Sequence, residues 1–383
     1  MTPQQQNIYH LALQVLHERL TIVEFSMLTG KSYRQSQRII KRVKQKQMLG
    51  LLHGNLGKTP ANKIHEQVKD RIIGLIRTKY YDFNLTHLQE KLREIDGVVI
   101  RRESLRKWAH EAGLVKRAKR RGRGRAHKPR PRMPKRGMLI QFDGSEHDWF
   151  SGLGPMCTLI GGLDDATGEI LGLEFFPGED SLNCMKVMQS IVGKYGVPHA
   201  FYLDQAGYFG KTYREQDTSQ IGRALEQINC RIILARSPQA KGKIERLWGT
   251  LQDRLVAELR LEGINRIPTA NDFLRTSFVE QYNKRFSVVP REMEASFRAL
   301  AGHEHLKEIF CYRETRKINN GNTFSYGPNH YLIEEKQSLR FRTLYIKNYC
   351  DGSVGYEVFG KPVTVSKLGP SRALPAAFKK SAA

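Results

Sequence analysis

The sequence predicts a multidomain protein with N-terminal all-α helix-turn-helix modules, a central α/β domain and a small C-terminal β-barrel. Three observations predict this fold class. The chain has 383 residues, enough for two or three hydrophobic cores. Residues 1–136 carry 32 basic and 10 acidic side chains, whereas the rest carries 31 and 28. The apolar periodicity is helical in the first third, mixed in the middle and β-like towards the end.

The basic excess lies almost entirely in the first third and predicts a polyanion-binding region. No apolar run approaches the length of a membrane span, so nucleic acid is the expected polyanion and no membrane partner is expected. The first residues lack a signal-peptide pattern, and the five cysteines contain no Cys-x-x-Cys pair. These features predict a cytoplasmic protein with reduced thiols.

Residues 1–57 are predicted to form a first helix-turn-helix DNA-binding domain. A helix that starts near Thr21 ends at Gly30, and a strongly basic helix follows from Ser32. The outward positions of the basic helix are the predicted DNA contacts, namely Arg34, Arg38, Lys41 and Arg42. The alternative is a three-helix bundle with a solvated basic face. The DNA-binding interpretation is preferred because the basic residues lie on the helix where the motif needs them.

Residues 58–115 repeat the pattern less regularly and are predicted to form a second helix-turn-helix DNA-binding domain. Residues 116–136 hold twelve Lys or Arg residues and no acid, with several Pro and Gly, which predicts an extended basic linker. Arg121, Arg123 and Arg125 are candidate minor-groove contacts. For these three arginines a nonspecific solvated linker is the preferred alternative.

Residues 137–300 alternate strands and helices and predict an α/β domain, with a first strand at 138–143 and a fourth at 198–204. Residues 301–368 contain hairpin-turn signals between short β runs and predict a small β-barrel domain. Residues 369–383 are predicted to be a disordered tail.

Three acids are the candidate catalytic and metal-binding residues. Asp143 and Asp204 end the first and fourth predicted strands, and Glu245 lies on the last helix of the domain. If the two strands are neighbours, their carboxyl ends place both Asp residues side by side. Crowded carboxylates need a cation, and oxygen ligands select Mg²⁺ or Mn²⁺. Two such ions would serve phosphodiester chemistry. The alternatives are turn-forming acids and a helical Glu paired with basic neighbours.

Several neighbouring residues have competing interpretations. Lys241 and Lys243 are predicted to contact DNA phosphate near the scissile bond, with ordinary surface lysines as the alternative. Trp248 lies in the apolar stripe of its helix and is predicted to be a core residue. Asp164 and Asp165 are interpreted as turn formers. Gly249 leaves open space beside Glu245 on the helix face.

Three motifs resemble the integrase-core transposases of bacterial insertion sequences, most closely the ISNCY-type group. They are residues 141–150 (QFDGSEHDWF), residues 164–168 (DDATG), and residues 237–246 (SPQAKGKIER) together with 249–256 (GTLQDRLV). The resemblance covers nearly the whole chain, because that group also has tandem helix-turn-helix modules and a small β domain. Residues 203–209 (LDQAGYF) differ from the more usual Asp-Lys-His form at the second acid.

The resemblance implies an RNase H-like core with a DDE triad carried by Asp143, Asp204 and Glu245. It implies a DNA transposase that binds terminal inverted repeats, cleaves with two Mg²⁺ or Mn²⁺ ions to expose a 3′-OH, and joins that 3′-OH to target DNA. The implied partners are double-stranded transposon ends and target DNA, held by a homo-oligomer that is at least a dimer. Two alternatives remain: a catalytically decayed DNA-binding protein and a nuclease without strand transfer.

Overall fold

The computed structural model of the protein describes residues 2–53, 55, 64–115, 130–204, 219–235, 242–302 and 304–370. The chain divides into two compact units, Met1–Ile72 and Ile73–Ala383. The division falls inside α4 (Glu66–Thr78). The predicted boundary between residues 57 and 58 lies outside the described residues and stays a prediction. The predicted contacts Arg121, Arg123, Arg125 and Lys241, and residues 371–383 of the predicted tail, lie outside the described residues.

The first unit begins with three helices, α1 (Pro3–Leu16), α2 (Ile22–Thr29) and α3 (Tyr33–Lys46). Thr21 and Glu24 cap α2 reciprocally, and Gly30 ends it in the left-handed conformation that glycine adopts without strain. The inner face of α3 packs through Ile39, Ile40 and Val43. Its predicted DNA contacts, Arg34, Arg38, Lys41 and Arg42, are all exposed. DNA binding by this module stays a prediction.

The second unit starts with two helices before the central domain, α5 (Leu85–Glu94) and α6 (Arg102–Glu111). Asn84 caps α5 by accepting from the backbone N–H groups of Thr86 and His87. Leu88 and Leu92 of α5 and Leu105 of α6 are fully buried or nearly so. The outward face of α6 exposes Arg102, Arg106 and Lys107. A DNA-binding role for this pair of helices stays a prediction.

A five-stranded mixed sheet forms the centre of the second unit, in the order β3-β2-β1-β4-β5. The first three strands are antiparallel, and β1, β4 and β5 are parallel. The strands are β1 (Ile140–His147), β2 (Cys157–Asp164), β3 (Ile170–Phe176), β4 (Ala200–Leu203) and β5 (Arg231–Leu234). The first and fourth strands are neighbours, which is the condition for placing Asp143 and Asp204 side by side. The prediction that the first strand ends at Asp143 is wrong, because β1 pairs with β2 as far as His147.

Helices cover both faces of the sheet, which buries two hydrophobic cores. One core includes Ile140, Phe142 and Phe201 under α7 (Ser181–Tyr195) and α8 (Gln220–Gln227). The other lies under α9 (Gly242–Leu261), α10 (Ile267–Phe273) and α11 (Val279–Phe286). A π-helical turn, Leu274–Phe278, joins α10 to α11. Ser237 and Pro238, which begin the motif at residues 237–246, lie outside the described residues.

Two antiparallel sheets follow the short helix α12 (Leu306–Ile309). Their orders are β11-β10-β9-β6 and β12-β8-β7. The strands are β6 (Cys311–Lys317), β7 (Thr323–Tyr326), β8 (Asn329–Ile333), β9 (Thr343–Tyr349), β10 (Val354–Val358), β11 (Lys361–Pro362) and β12 (Val365–Pro370). Both sheets share a core that includes Phe324 and Leu344. Within the described residues no ladder joins the sheets into a closed barrel, so the predicted small β-barrel is not confirmed.

In the part of the chain that the structure describes, no helix combines the length and apolar character needed to cross a bilayer.

Candidate active site

The sheet places Asp143 and Asp204 at matching positions on neighbouring parallel strands. β1 and β4 pair Ile140 with Phe201 and Gln141 with Tyr202, an offset of 61 positions. Asp143 and Asp204 have the same offset and lie just beyond these pairs. Both side chains are half-buried. Parallel strands in this register bring two carboxylates to one edge of the sheet.

Helix α9 carries Glu245 and lies along β1, where three hydrogen bonds join the elements at regular spacing. Ile244 N donates to Gln141 Oε1 (3.2 Å), Trp248 Nε1 to Asp143 Oδ2 (3.1 Å) and Gln252 Nε2 to Ser145 Oγ (3.2 Å). Two strand residues and four helix residues each advance by roughly 6–7 Å, so the pairing repeats along both elements. We call these three contacts the β1–α9 seam.

Trp248 has two roles in the seam. Its ring is buried in the core beneath α9, as the stripe pattern predicted. Its indole N–H also donates to the carboxylate of Asp143, a contact that the apolar periodicity could not reveal. A hydrogen bond to a charged group contributes about 1.5–3 kcal/mol, so Trp248 fixes the orientation of Asp143. Because Trp248 is one turn from Glu245, the same helix orients one candidate acid and carries another.

Glu245 itself is exposed on the first turns of α9. A Cβ added at Gly249 would meet nothing within 4 Å, which confirms the open space beside Glu245. Among the described residues, no group of three or more His, Cys, Asp or Glu side chains is arranged to hold a metal ion. The assignment of Asp143, Asp204 and Glu245 as the catalytic and metal-binding residues therefore stays a prediction.

Asp165 anchors the start of α9, a role that sequence reasoning missed. Its fully buried carboxylate accepts from Lys243 Nζ (2.8 Å), Gln141 Nε2 (2.7 Å) and Met133 N (2.9 Å), and also pairs with Arg130. Burial opposes ionisation, but the hydrogen bond from Lys243 leads the interactions that hold the pKa of Asp165 below its usual value. The buried charge thus fixes Lys243 and, through Gln141, the N–H of Ile244.

The neighbouring Asp164 is a turn former, as predicted. Its Oδ1 accepts from the backbone N–H groups of Ala166 and Thr167, and its Oδ2 accepts from Gly137 N (2.8 Å). Burial raises the pKa of Asp164 despite these bonds. The motif alone could not predict that the two adjacent acids, Asp164 and Asp165, have different partners.

Glu179 is a further acid beside the site. Its carboxylate lies against the backbone of Gly144, so a Cβ at residue 144 would collide with it. Burial raises the pKa of Cys184, and the negative charges of Glu179, Asp180 and Asp204 add to this effect. Glu179 and Asp204 therefore both lie near Cys184. In the sequence, the glycine directly after Asp143 was the one signal that another group, here Glu179, approaches the backbone closely at residue 144.

The basic residues near the site differ in their partners. Lys243 is held by Asp165, with a side chain that is 21% exposed, so a phosphate contact by Lys243 stays a prediction. Residues 130–136 were predicted to belong to the extended linker, but they are fixed against the central domain. Arg130 pairs with Asp165, Arg136 pairs with Glu169, and Lys135 Nζ lies 2.8 Å from Glu294.

Two further acids, Glu146 on β1 and Asp148 just after it, have environments different from that of Asp143. Asp148 Oδ1 accepts from Gly152 N (2.9 Å) and stabilises a turn. Glu146 is exposed. Because strand residues alternate between the two faces of a sheet, Glu146 lies on the face opposite to the seam residues Asp143 and Ser145.

Sequence comparison identifies relatives over most of the chain. "Putative transposase y4bF" of Sinorhizobium fredii is 35% identical over 370 residues, which cover 92% of this chain and 80% of the relative. The transposase for insertion sequence IS1202 of Streptococcus pneumoniae is 30% identical over 295 residues, which cover 67% of this chain and 62% of that protein. No protein-family model matches the chain.

Comparison with solved structures finds retroviral integrases at low similarity. The HTLV-2 integrase catalytic core domain in complex with magnesium is 14% identical and has a TM-score of 0.29. The match covers 36% of this chain and 82% of the integrase chain. The simian T-cell lymphotropic virus intasome in complex with PP2A regulatory subunit B56 gamma is 13% identical and has a TM-score of 0.33. The match covers 69% of this chain and 91% of the intasome chain. These scores are too low to support a fold assignment. The identity and coverage of the sequence relatives show that this chain belongs to the bacterial insertion-sequence transposases, which are polynucleotidyl transferases.

Proposed function

We propose that the protein is a DDE transposase that cleaves the ends of its element and joins the exposed 3′-OH to target DNA. The observation that carries this proposal is the β1–α9 seam, which ties the helix of Glu245 to the strand of Asp143. The mixed sheet with β1 and β4 adjacent supports an RNase H-like core, because it brings Asp204 to the same edge.

The proposed ligands of the metal are Asp143, Asp204 and Glu245. All three are carboxylates, and oxygen donors fit Mg²⁺ or Mn²⁺ better than softer metals. When bound, two such ions would activate the attacking oxygen and stabilise the leaving oxygen of the phosphodiester. Trp248 would keep Asp143 in its ligating orientation, and Asp165 would hold the first turn of α9 in place.

The basic surfaces of the helical segments would bind the DNA substrate. The exposed basic face of α3 and the outward face of α6 are proposed to bind the terminal inverted repeats. Because two ends must be held for joining, we propose that at least two copies of the chain act together on DNA.

The test is cleavage of DNA that contains the terminal inverted repeats flanking the gene. Wild type with Mg²⁺ is expected to cut and to join the 3′ ends to a target plasmid. Glu245→Gln is expected to lower cleavage at least roughly a hundredfold, since losing even a partner of a metal ligand costs 10–100-fold. Repeat binding should persist in this variant.

Glu146→Gln is the matched control, because Glu146 is an exposed acid on β1 away from the seam. It should cut like wild type. Equal cleavage by Glu245→Gln and wild type, or full cleavage in excess chelator, would contradict the proposal. Cleavage without joining would favour the nuclease alternative, and binding without cleavage would favour the decayed DNA-binding alternative.

A further inference from the structure

The outer face of the β11-β10-β9-β6 sheet contains a cleft of about 690 Å³ in which aromatic and basic side chains meet. Phe341, Tyr345 and Phe359 supply the rings, and Lys317 and Arg342 supply cations. We call this the aromatic–basic cleft. Its three rings are 65%, 41% and 66% exposed, so they contribute little to the hydrophobic core of this domain. Large rings this exposed on one surface are typical of binding sites.

Phe359 occupies a backbone position that disfavours it. Val358 pairs with Lys361, so Phe359 and Gly360 form a two-residue hairpin turn, with φ of 53° and 76°. A turn with positive φ at both positions favours Asn-Gly, because Asn tolerates the left-handed region and bulky side chains do not. An aromatic residue here lowers the stability of the turn.

Phe341 has the same property on the other side of the cleft, with φ of 62°. Its N–H donates to Ile318 O (2.8 Å), and the next N–H, of Arg342, donates to Leu339 O (3.0 Å). These bonds hold the backbone in the unfavourable region. Strained residues of this kind are concentrated at functional sites. Two strained, exposed aromatic residues lining one cleft indicate that the rings have a binding function.

The electrostatics of the cleft select an anionic aromatic ligand. The guanidinium carbon of Arg342 lies 5.4 Å from the Phe359 ring centre, and that of Arg340 lies 4.2 Å from the Phe341 ring centre. Glu357, the acid in the cleft, is paired with Lys347 at 2.6 Å. The exposed cations Lys317, Arg340 and Arg342 therefore dominate the field. Stackable rings beside cations are the chemistry that holds unpaired nucleic-acid bases and their phosphates.

We propose that the aromatic–basic cleft binds an unpaired DNA segment by stacking its bases on Phe341 and Phe359. This inference rests on the proposed function only in taking DNA as the ligand. Lys317 and Arg342 would neutralise the adjacent phosphates. The cleft would then act on strands opened near the reacting ends, separately from the duplex-binding helices.

The test compares the affinity of the full chain for two single-stranded 12-nucleotide probes, one normal and one abasic, without divalent cation. Both probes carry the same phosphate charge, so basic regions elsewhere in the chain contribute equally. Wild type is expected to prefer the normal probe by roughly tenfold or more, since stacking is worth about that factor per base. Phe359→Asn and Phe341→Asn should each reduce this preference, and the double variant should abolish it.

The melting temperature separates a binding role from a structural one. Both Asn variants should melt at or above the wild-type temperature, because Asn suits the left-handed backbone better than Phe.

Phe286→Asn is the control for the probe-binding assay, since Phe286 is 37% exposed under Arg254 but lies outside the cleft. It should keep the preference for bases.

An unchanged preference in the double variant would overturn the proposal, as would equal binding of both probes by wild type. A change in oligomeric state without a change in probe preference would also overturn it, in favour of a protein interface. Because the assay uses neither metal nor cleavage, failure here leaves the proposed catalytic function untouched, and the reverse also holds.

Discussion

The two halves of α9 are held by different chemistry. The first half, from Gly242 to Gln252, is joined to β1 by the hydrogen bonds of the seam and by the buried anchor at Asp165. The second half is joined to the helical segment before the central domain by charges. Glu258 contacts His87 at 2.8 Å and Lys91 at 2.7 Å, and Arg254 and Arg260 pair with Glu90 and Asp82.

The first half of α9 therefore positions the candidate site, and the second half attaches α5 to the central domain. Helix α9 is about 30 Å long, so one rigid element carries the candidate catalytic acid near one end and the docking charges near the other. Directional hydrogen bonds suit the end where the orientation of Asp143 matters. Ion pairs suit the end where α5 is held, with α6 and its exposed arginines behind it. Each half can therefore be perturbed with little change in the other.

The largest effect is expected from Glu258→Gln. The Lys91 ammonium and the His87 ring, 9% and 1% exposed, would lose their carboxylate, and breaking a buried pair costs on the order of 3 kcal/mol or more. Denaturant unfolding should show this loss. Glu262→Gln, an exposed acid one turn later, is the control and should stay within about 0.5 kcal/mol of wild type.

The same contact predicts a pH dependence. Burial opposes the ionisation of Glu258, but the hydrogen bonds from His87 and Lys91 outweigh burial and hold the pKa of Glu258 below its usual value. Because the folded value is lower than the unfolded one, this stabilisation is complete above about pH 4.5 and is lost as the pH falls through the folded value. Glu258→Gln should therefore show a shallower loss of stability below pH 4.5 than wild type. Parallel curves would contradict the assignment.

Asp165→Asn tests the other half of the helix. Lys243 and Arg130 would lose their buried partner, but both retain some solvent access, so we expect a loss of about 2–3 kcal/mol. Cleavage should fall further than stability alone explains, because the first turn of α9 is released. Asp148→Asn should be tolerated, since Asn can also accept from Gly152 N. Normal cleavage by Asp165→Asn would refute the anchoring role.

Trp248→Phe removes one hydrogen-bond donor from the seam and keeps most of the apolar volume. We expect cleavage to fall roughly tenfold, the equivalent of about 1.4 kcal/mol, and the Mn²⁺ concentration for half-maximal rate to rise. Trp149→Phe is the matched control, because buried Trp149 donates to Ser145 O rather than to an acid. If both variants responded identically to Mn²⁺, Trp248 would have no role beyond packing.

The smallest effect is expected from salt. The pairs Arg285–Glu94 and Arg260–Asp82 are partly exposed and should weaken in 1 M salt, where the Debye length is about 3 Å. Hydrogen exchange of α5 amides should speed up by no more than about fivefold, the equivalent of about 1 kcal/mol. The Ile244 amide in the seam should not respond. An equal response at both ends would remove the distinction between the halves.

Local patterns predicted the elements that hold the site. The apolar stripe from Ile244 to Leu259 identified α9, and the offset between Asp143 and Asp204 matches the observed register of β1 and β4. The alternation of β1 beyond Asp143 was missed, because Gly144 and Glu146 weaken an apolar pattern and the pairing with β2 is a tertiary effect.

Long-range contacts could not be predicted from spacing. Nothing near Glu258 indicates that its partners are His87 and Lys91, about 170 positions earlier. Asp165 and Asp164 are adjacent in one motif, yet one is an anchor and the other a turn former. The open arrangement of the C-terminal sheets likewise depends on which strands pair, since hairpin signals locate turns but do not close a barrel.

Anomalous diffraction from crystals of the full chain with a terminal-repeat DNA end and Mn²⁺ would show directly whether Asp143, Asp204 and Glu245 share a metal site. We expect Mn²⁺ in direct contact with the carboxylates of Asp143 and Asp204, and with Glu245 as a further ligand. The same peaks should be absent or strongly reduced in Asp143→Asn. Ordered Mn²⁺ bound elsewhere, with these three acids free of metal, would contradict the shared metal site.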